Sequence, residues 1–302
     1  MQDKRILVAG YGKLGRRVAL QLAGRHKVTA LKRSPQTPDP EVTLCFADLN
    51  DTRVLSDSLA QALPAGADYL LYCLSPAERS ETGYRAAYLD GLKNLLAALP
   101  NRDALQHMIF VSSTSVYHQD GGEWVDEQSP CRPNAFSGRV LLEAEGFLQQ
   151  QTVPSTIVRF SGIYGGSRSR LIDQVRQALD TGDALSYSTG FTNRINEQDC
   201  VDFLCHLIAL LVQQQPLASV YIGTDSEPVE LAEVYQFIAG QLQASLPVEQ
   251  RQTLALRQNP EASSNRRAGS KRCSNGLMLS TGYELRFPSF RQGYALAQQD
   301  PA

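Results

Sequence analysis

The chain has 302 residues, with 29 Lys and Arg against 31 Asp and Glu, a formal net charge of −2. That balance gives no electrostatic reason to invoke nucleic acid or an anionic membrane as a main partner. No apolar run approaches the roughly 18 residues needed to cross a bilayer, and the first strand starts too early to leave room for a secretory leader, so a reduced, cytoplasmic protein is expected.

The N-terminal pattern comes first. Ile6–Ala9 is a short apolar run. It meets Gly10, Gly12 and Gly15 at G-x-G-x-x-G spacing, and Leu14, Val18 and Leu22 then mark an amphipathic helix. Strand, tight turn and helix in that order are what a dinucleotide-binding loop requires. Gly10 makes the turn, Gly12 lets backbone amides approach a pyrophosphate, and Gly15 lets helix and strand pack closely. Gly10, Tyr11, Gly12, Lys13, Leu14 and Gly15 are therefore expected at the cofactor, with the helix N-terminus turned to its phosphates.

The second strand, Val28–Leu31, runs into Lys32, Arg33 and Ser34. An NAD-selective site places an acidic residue here, against the ribose 2′-hydroxyl. Two cations and a hydroxyl suit a 2′-phosphate instead. Charge-assisted hydrogen bonds contribute about 1.5–3 kcal/mol each, so one good Arg contact is worth roughly ten- to a hundredfold in affinity. NADP is the expected cofactor, ahead of NAD; a solvated basic turn is the alternative.

Strand-like runs continue at Val42–Phe46, Tyr69–Leu74, Met108–Val111 and Thr156–Phe160. Between them, helices are read from Val54, Leu55 and Leu59, from Tyr84 through Leu99, and from Phe136 through Leu148. Asp48, with Leu49 beside it, follows the third strand and is placed to meet the adenine. Cys73, Leu74 and Ser75 end the fourth and flank the adenosine half. Alternating strands and helices imply an α/β, doubly wound parallel sheet of the Rossmann kind. Beyond Phe160 the rhythm changes. Gly162–Gly166 reads as a loop and Leu171–Leu179 as a helix. Further helices are read over Glu197–Val212 and Val229–Gln241, with a strand near Tyr221 and a polar, mobile stretch over Arg251–Gly269. Residues 1–163 are expected to form the cofactor domain, with 191–224 returning to it. Residues 164–190 and 225–302 would form a smaller C-terminal α/β substrate lobe closing over the cofactor. Six cysteines are scattered without C-x-x-C pairs. Cys200, Cys205 and His206 sit among Val201, Leu204, Ile208 and Leu211, the pattern of a buried helix, and no metal is expected.

Four blocks resemble an extended or atypical short-chain dehydrogenase/reductase of the NAD(P)-dependent epimerase/dehydratase type. They are the glycine loop, Phe110–Tyr117 (like "SSxxVYG"), Val158–Gly165 (like "LRxxxxYGP") and Asn193–Asp199 (like "xRxIHVxD"). The glycine spacing and the Lys-Arg-Cys-Ser-Asn run at 271–275 are similar to the YeeZ-like atypical group. The resemblance implies a small hydroxyl- or carbonyl-bearing substrate, such as a sugar nucleotide or another anionic metabolite, and a homodimer formed through the long helices. It also implies a Tyr and a Lys four residues later as acid/base and ribose anchor, with a Ser or Thr orienting the substrate oxygen.

Ser113 matches the last of these, although a strand-end hydroxyl cap reads equally well. The Tyr-x-x-x-Lys pair has no match. One register places Ala135 and Arg139 there, the other Phe136 and Val140. A phenol near the operating pH supplies roughly 10²–10⁴-fold, and Arg139 is too basic for acid/base work, though able to hold a ribose hydroxyl. Tyr117 is the favoured substitute, with Tyr84, Tyr88 and Tyr164 as alternatives; each also reads as half-buried packing. Arg159, Arg168, Arg170 and Arg194 are expected in loops around the cleft, where they suit an anionic substrate. Arg266, Arg267, Lys271 and Arg272 form a second basic group, equally readable as surface charge. Beside the enzyme reading stand two others: a non-catalytic NADP(H)-binding sensor, and a scaffold with a vestigial loop.

Overall fold

The computed structural model describes residues 3–37, 39–166, 170–259 and 269–296. Arg5–Ala9 forms β1, whose Ile6, Leu7, Val8 and Ala9 are fully buried. A central parallel strand is covered on both faces, which is why its apolar run does not alternate. Helix α1, Lys13–Ala23, buries Leu14, Val18, Ala19 and Leu22, a stripe at three- and four-residue spacing. Next come β2 (Lys27–Lys32), β3 (Val42–Phe46) and α2 (Thr52–Ala62). Asp51 caps α2, its carboxylate accepting from Val54 N at 3.1 Å, as an N-cap side chain should.

β4 (Tyr69–Tyr72) stops short of the expected Leu74, so Cys73, Leu74 and Ser75 leave the strand. The long helix that follows has three parts: α3 (Glu81–Tyr84), a π-helical segment Arg85–Asp90, and α4 (Gly91–Ala98). β5 spans His107–Ser113, β6 Glu123–Val125, α5 Phe136–Gln149 and β7 Ser155–Phe160. The expected loop after Phe160 contains a short strand, β8 (Gly162–Tyr164). Then follow α6 (Arg170–Thr181), β9 (Leu185–Tyr187), β10 (Phe191–Thr192), β11 (Arg194–Asn196), α7 (Glu197–Val212) and β12 (Val220–Gly223). The chain continues through β13 (Val229–Glu230), α8 (Leu231–Leu242), β14 (Leu256–Gln258), β15 (Lys271–Cys273), α9 (Gly276–Ser280) and α10 (Phe290–Leu296).

Seven strands form one sheet in the order β3-β2-β1-β4-β5-β7-β12. The ladders from β3 to β5 are parallel, with Val8 opposite both Ala30 and Leu71. The order reverses between β1 and β4. In an open α/β sheet that switch point, at the carboxyl ends of the strands, is where ligands bind.

The chain divides into two compact units: 1–116 with 131–159 and 201–221, and 117–130 with 160–200 and 222–302. This differs from the expected boundaries. Of 191–224, only 201–221 groups with the first unit, because β11 pairs with β8. Residues 117–130 join the second unit, where β6 pairs with β15. The second unit has its own core around α6, α8 and α10, including Val175, Val234, Ile238 and Phe290. Among the described residues, no helix is long and apolar enough to cross a membrane.

Candidate cofactor and catalytic site

The glycine loop lies at the switch point, and its three glycines answer to different constraints. Gly10 has φ +107°, and a Cβ there would stand 2.3 Å from the Cys73 carbonyl oxygen. A Cβ on Gly15 would stand 1.9 Å from the Gly10 carbonyl oxygen. Both positions are closed by the fold itself. Gly12 is different: its backbone is extended, and a Cβ would meet nothing within 4 Å. Nothing in the folded chain demands glycine there, whereas a pyrophosphate brought against the backbone does. Gly12 is also the N-cap of α1, whose first turn has no side-chain cap and no acidic residue, so the positive dipole end is uncompensated from within.

Tyr11 and Leu14 also have roles inside the fold. The amides of Gly10 and Tyr11 both donate to Leu31 O, at 3.1 and 3.2 Å, tying the loop to the end of β2. The Tyr11 side chain is buried and its hydroxyl donates to Asp39 Oδ2 at 2.6 Å. Leu14 packs in the buried stripe of α1, leaving only its backbone at the helix terminus. Lys13 is exposed there.

At the end of β2, half-buried Lys32 donates through Nζ to Gln36 Oε1, while Arg33 and Ser34 are exposed. Arg33 has no hydrogen-bond or ion-pair partner among the described residues. Arg16 of α1 grips Asp39 with two hydrogen bonds, 2.9 and 2.6 Å. After β3, Asp48 is half-buried, with Oδ1 accepting from the amide and side chain of Asn50 at 2.9 and 3.1 Å. Leu49 is buried. Cys73 continues the main-chain pairing beyond β4, donating to Ala9 O at 2.8 Å; Leu74 is half-buried and Ser75 exposed. An open glycine cradle, an uncapped helix terminus and cations beside β2 fit a dinucleotide phosphate.

Comparison with known proteins agrees. A family model described as NAD(P)H-binding matches residues 10–194, more than half of the chain. This chain belongs to that NAD(P)H-binding family. It is also 33% identical, with a TM-score of 0.76, to a Methylobacillus flagellatus structure provisionally described as an NAD-dependent epimerase/dehydratase, covering 99% of this chain and 98% of the other. A Stigmatella aurantiaca 4-hydroxy-2-methyl-3-oxo-4-farnesyl-3,4-dihydroquinoline-1-oxide ketoreductase is 28% identical over 74% of this chain and 69% of its own. Protein YeeZ of Escherichia coli is 31% identical over 55% of this chain and 61% of its own. The NAD(P)H-binding chain is thus of the epimerase/dehydratase-like type and takes a nicotinamide cofactor.

The reactive end departs further from expectation. Helix α5, the helix on which the resemblance places its Tyr and Lys, contains neither residue type. Val140 is buried in its inner face, and Phe136 is half-buried. Arg139 is exposed and folds back on the Asn134 carbonyl at the start of its own helix. Tyr117 is only 2% exposed, and its carbonyl accepts from Lys271 Nζ at 3.4 Å in the second unit. Its burial accords with the packing reading of this tyrosine. Ser113, at the carboxyl end of β5, is half-buried and accepts from Ser115 N at 3.1 Å.

The aromatic group facing α5 comes from elsewhere in the first unit. The Tyr84 ring meets Phe136 edge-on at 5.4 Å and lies 5.5 Å from Tyr88. Tyr88 in turn meets Phe110 of β5 at 6.3 Å. Burial pushes the Tyr88 phenol up, with Tyr84 and Cys73 adding to the shift. The π-helical segment begins directly after Tyr84, and π-bulges recur at functional sites. The four-residue spacing of Tyr84 and Tyr88 was readable; the approach of Tyr84 to Phe136 was not.

The expected anion-binding arginines separate. Arg159 is not in a loop. It lies within β7, buried, with Nε and Nη2 on Glu145 at 3.2 and 2.6 Å, and the same carboxylate accepts from Ser112 Oγ at 2.6 Å. Arg170 is exposed at the start of α6. Arg168, Arg266 and Arg267 lie outside the described residues. In the second unit Lys271 is buried, and Arg272 lies over the Trp124 and Phe191 rings at 5.2 and 4.8 Å. Arg194 and Asp225 are also buried there, and Arg194 Nη1 and Asp225 Oδ2 have no hydrogen-bond partner among the described residues. Burial pushes the Asp225 carboxyl up to about 7, against the attraction of Arg194. Tyr164 stacks on Tyr294 at 4.7 Å, its phenol pushed up mainly by burial.

Proposed function

We propose that this chain binds NADP(H) in preference to NAD(H) and catalyses reversible oxidoreduction or epimerisation of a small hydroxyl- or carbonyl-bearing substrate without a Tyr-x-x-x-Lys pair. The observation that carries the cofactor reading is Gly12, open where the folded chain needs no glycine, together with Lys32 and Arg33 at the end of β2. Gly12 and the first turn of α1 would hold the pyrophosphate, Lys32 and Arg33 a 2′-phosphate, and Asp48 and Leu74 the adenosine side. When bound, the nicotinamide supplies reversible hydride transfer.

Within the first unit, Ser113 would orient the substrate oxygen. We assign the proton to Tyr84, because its ring lies against Phe136, one of the two positions where the resemblance expects a phenol. The ketoreductase relative supports carbonyl reduction as the reaction class. We also propose an anionic substrate and a homodimer.

The test is a scan of NADPH oxidation against aldehydes, ketones and nucleotide sugars, with cofactor affinity measured by calorimetry. Turnover should fall about 10²-fold or more in Tyr84→Phe and in Ser113→Ala, with NADP+ affinity kept. Equal turnover in wild type and variants would defeat these assignments. The bare α5 favours one other reading, a cofactor-binding sensor. It calls for tight NADPH binding, no turnover on the whole panel, and a ligand-dependent change in association state.

A further inference from the structure

The cations beside the end of β2 are not all waiting for a ligand. The segment between β2 and β3 supplies its own side chains to two of them. Gln36 accepts from Lys32, and Asp39 accepts from Arg16 through both oxygens. Asp39 is further fixed by the buried Tyr11 hydroxyl at 2.6 Å. Tyr11 is a glycine-loop residue whose amide is tied to Leu31, the neighbour of Lys32. The carboxylate therefore sits among the loop, the first helix and the strand end that a 2′-phosphate would occupy. Arg16 remains half-exposed, whereas Asp39 is 15% exposed at its side chain.

We propose that Asp39 is a built-in competing anion for the 2′-phosphate of NADP, and that full NADP binding exchanges Asp39 for phosphate on Arg16. This rests on the NADP reading above. A bidentate carboxylate uses the same planar donor fork that a phosphate oxygen pair would use. The two anions also repel, since the phosphate carries about −1.5 to −2 charges near neutral pH. Protonation does not relieve the competition in the physiological range: the Arg16 and Tyr11 hydrogen bonds hold the Asp39 carboxyl down at about 2. NAD, with an uncharged 2′-hydroxyl, makes no claim on Arg16. Asp39 thus sets the NADP-to-NAD ratio from inside the protein.

The experiment is calorimetry of NADP+, NAD+, 2′,5′-ADP and 5′-AMP with the full-length chain. Asp39→Asn should tighten NADP+ and 2′,5′-ADP about tenfold, while NAD+ and 5′-AMP stay within about twofold. Adding Arg16→Gln should cancel the gain on the phosphorylated pair alone. Tyr11→Phe frees one anchor of Asp39 and keeps every charge. It should shift the ratio the same way by a smaller factor, and it serves if Asp39→Asn does not fold. Equal changes for both cofactors would show a structural strap and overturn the proposal. So would an unchanged ratio, or a gain that survives Arg16→Gln. If the wild-type chain binds NAD+ but not NADP+, and Asp39→Asn also fails to bind NADP+, the NADP reading itself falls.

Discussion

Arg159 and Glu145 give the sharpest test of how the first unit is held together. Their side chains are 7% and 2% exposed, with two hydrogen bonds between them and Ser112 on the same carboxylate. Glu145→Leu leaves the guanidinium buried without its counter-charge and Ser112 without its acceptor. Breaking one side of a buried pair costs about 3–5 kcal/mol. For a chain of this size that is on the order of 10 °C in Tm, at about 2–4 °C per kcal/mol. Replacing both partners is a different perturbation. Arg159→Met with Glu145→Leu removes the stranded charge, fills similar volume, and should recover most of the loss, leaving Ser112 at about 1–2 kcal/mol. Urea unfolding of wild type, both singles and the double closes the cycle, with the m-value checked for constancy. NADP+ affinity should stay within about threefold in all properly folded variants, as expected for an arginine spent on Glu145. The reasoning fails if Glu145→Leu costs under about 1 kcal/mol, or if the double is as unstable as the sum of the singles.

The two kinds of glycine differ in their predicted effect on stability. Gly12→Ala meets open space at a non-strained backbone position. Thermal stability should therefore hold within about 1 kcal/mol while calorimetry shows NADP+ affinity falling at least about tenfold. Gly15→Ala places a methyl group 1.9 Å from the Gly10 carbonyl oxygen. It should lower both stability and cofactor affinity, and normal melting with normal binding would contradict this close approach. Asp225 supplies a pH test. Its folded-state carboxyl, raised to about 7, binds a proton more readily than the ordinary Asp of an unfolded chain near 3.9. Its effect is most favourable to folding below about pH 4, declines by up to about 1.4 kcal/mol per pH unit towards 7, and then levels. Asp225→Asn should therefore gain on wild type as pH rises from 5 to 7 in thermal melts, and a pH-independent difference would refute it.

What was legible in the sequence was local. Strands such as Ile6–Ala9 and Tyr69–Tyr72 announce themselves because burial on both faces requires unbroken apolar runs. Helices such as Phe136–Leu148 announce themselves because one face must be apolar at helical spacing. The glycine loop is local too, since Gly10, Gly12 and Gly15 act within one turn. The same holds for Lys32 and Arg33, whose charge beside the loop follows from their place after a strand.

What the sequence could not supply were partners brought together across the chain. Arg159 read as a loop cation, but the fold sets it within β7 against Glu145, 14 residues away. Tyr11 read as a cofactor contact, but Asp39, 28 positions on, takes its hydroxyl. Tyr117 stood at a strand end, and the fold buried it. Periodicity reports which face of an element is apolar; it carries no record of which distant side chain will meet that face. The glycine loop was therefore legible in sequence, while the use of each charge and phenol around it was decided by tertiary structure, where desolvation favours a partner for each buried polar group.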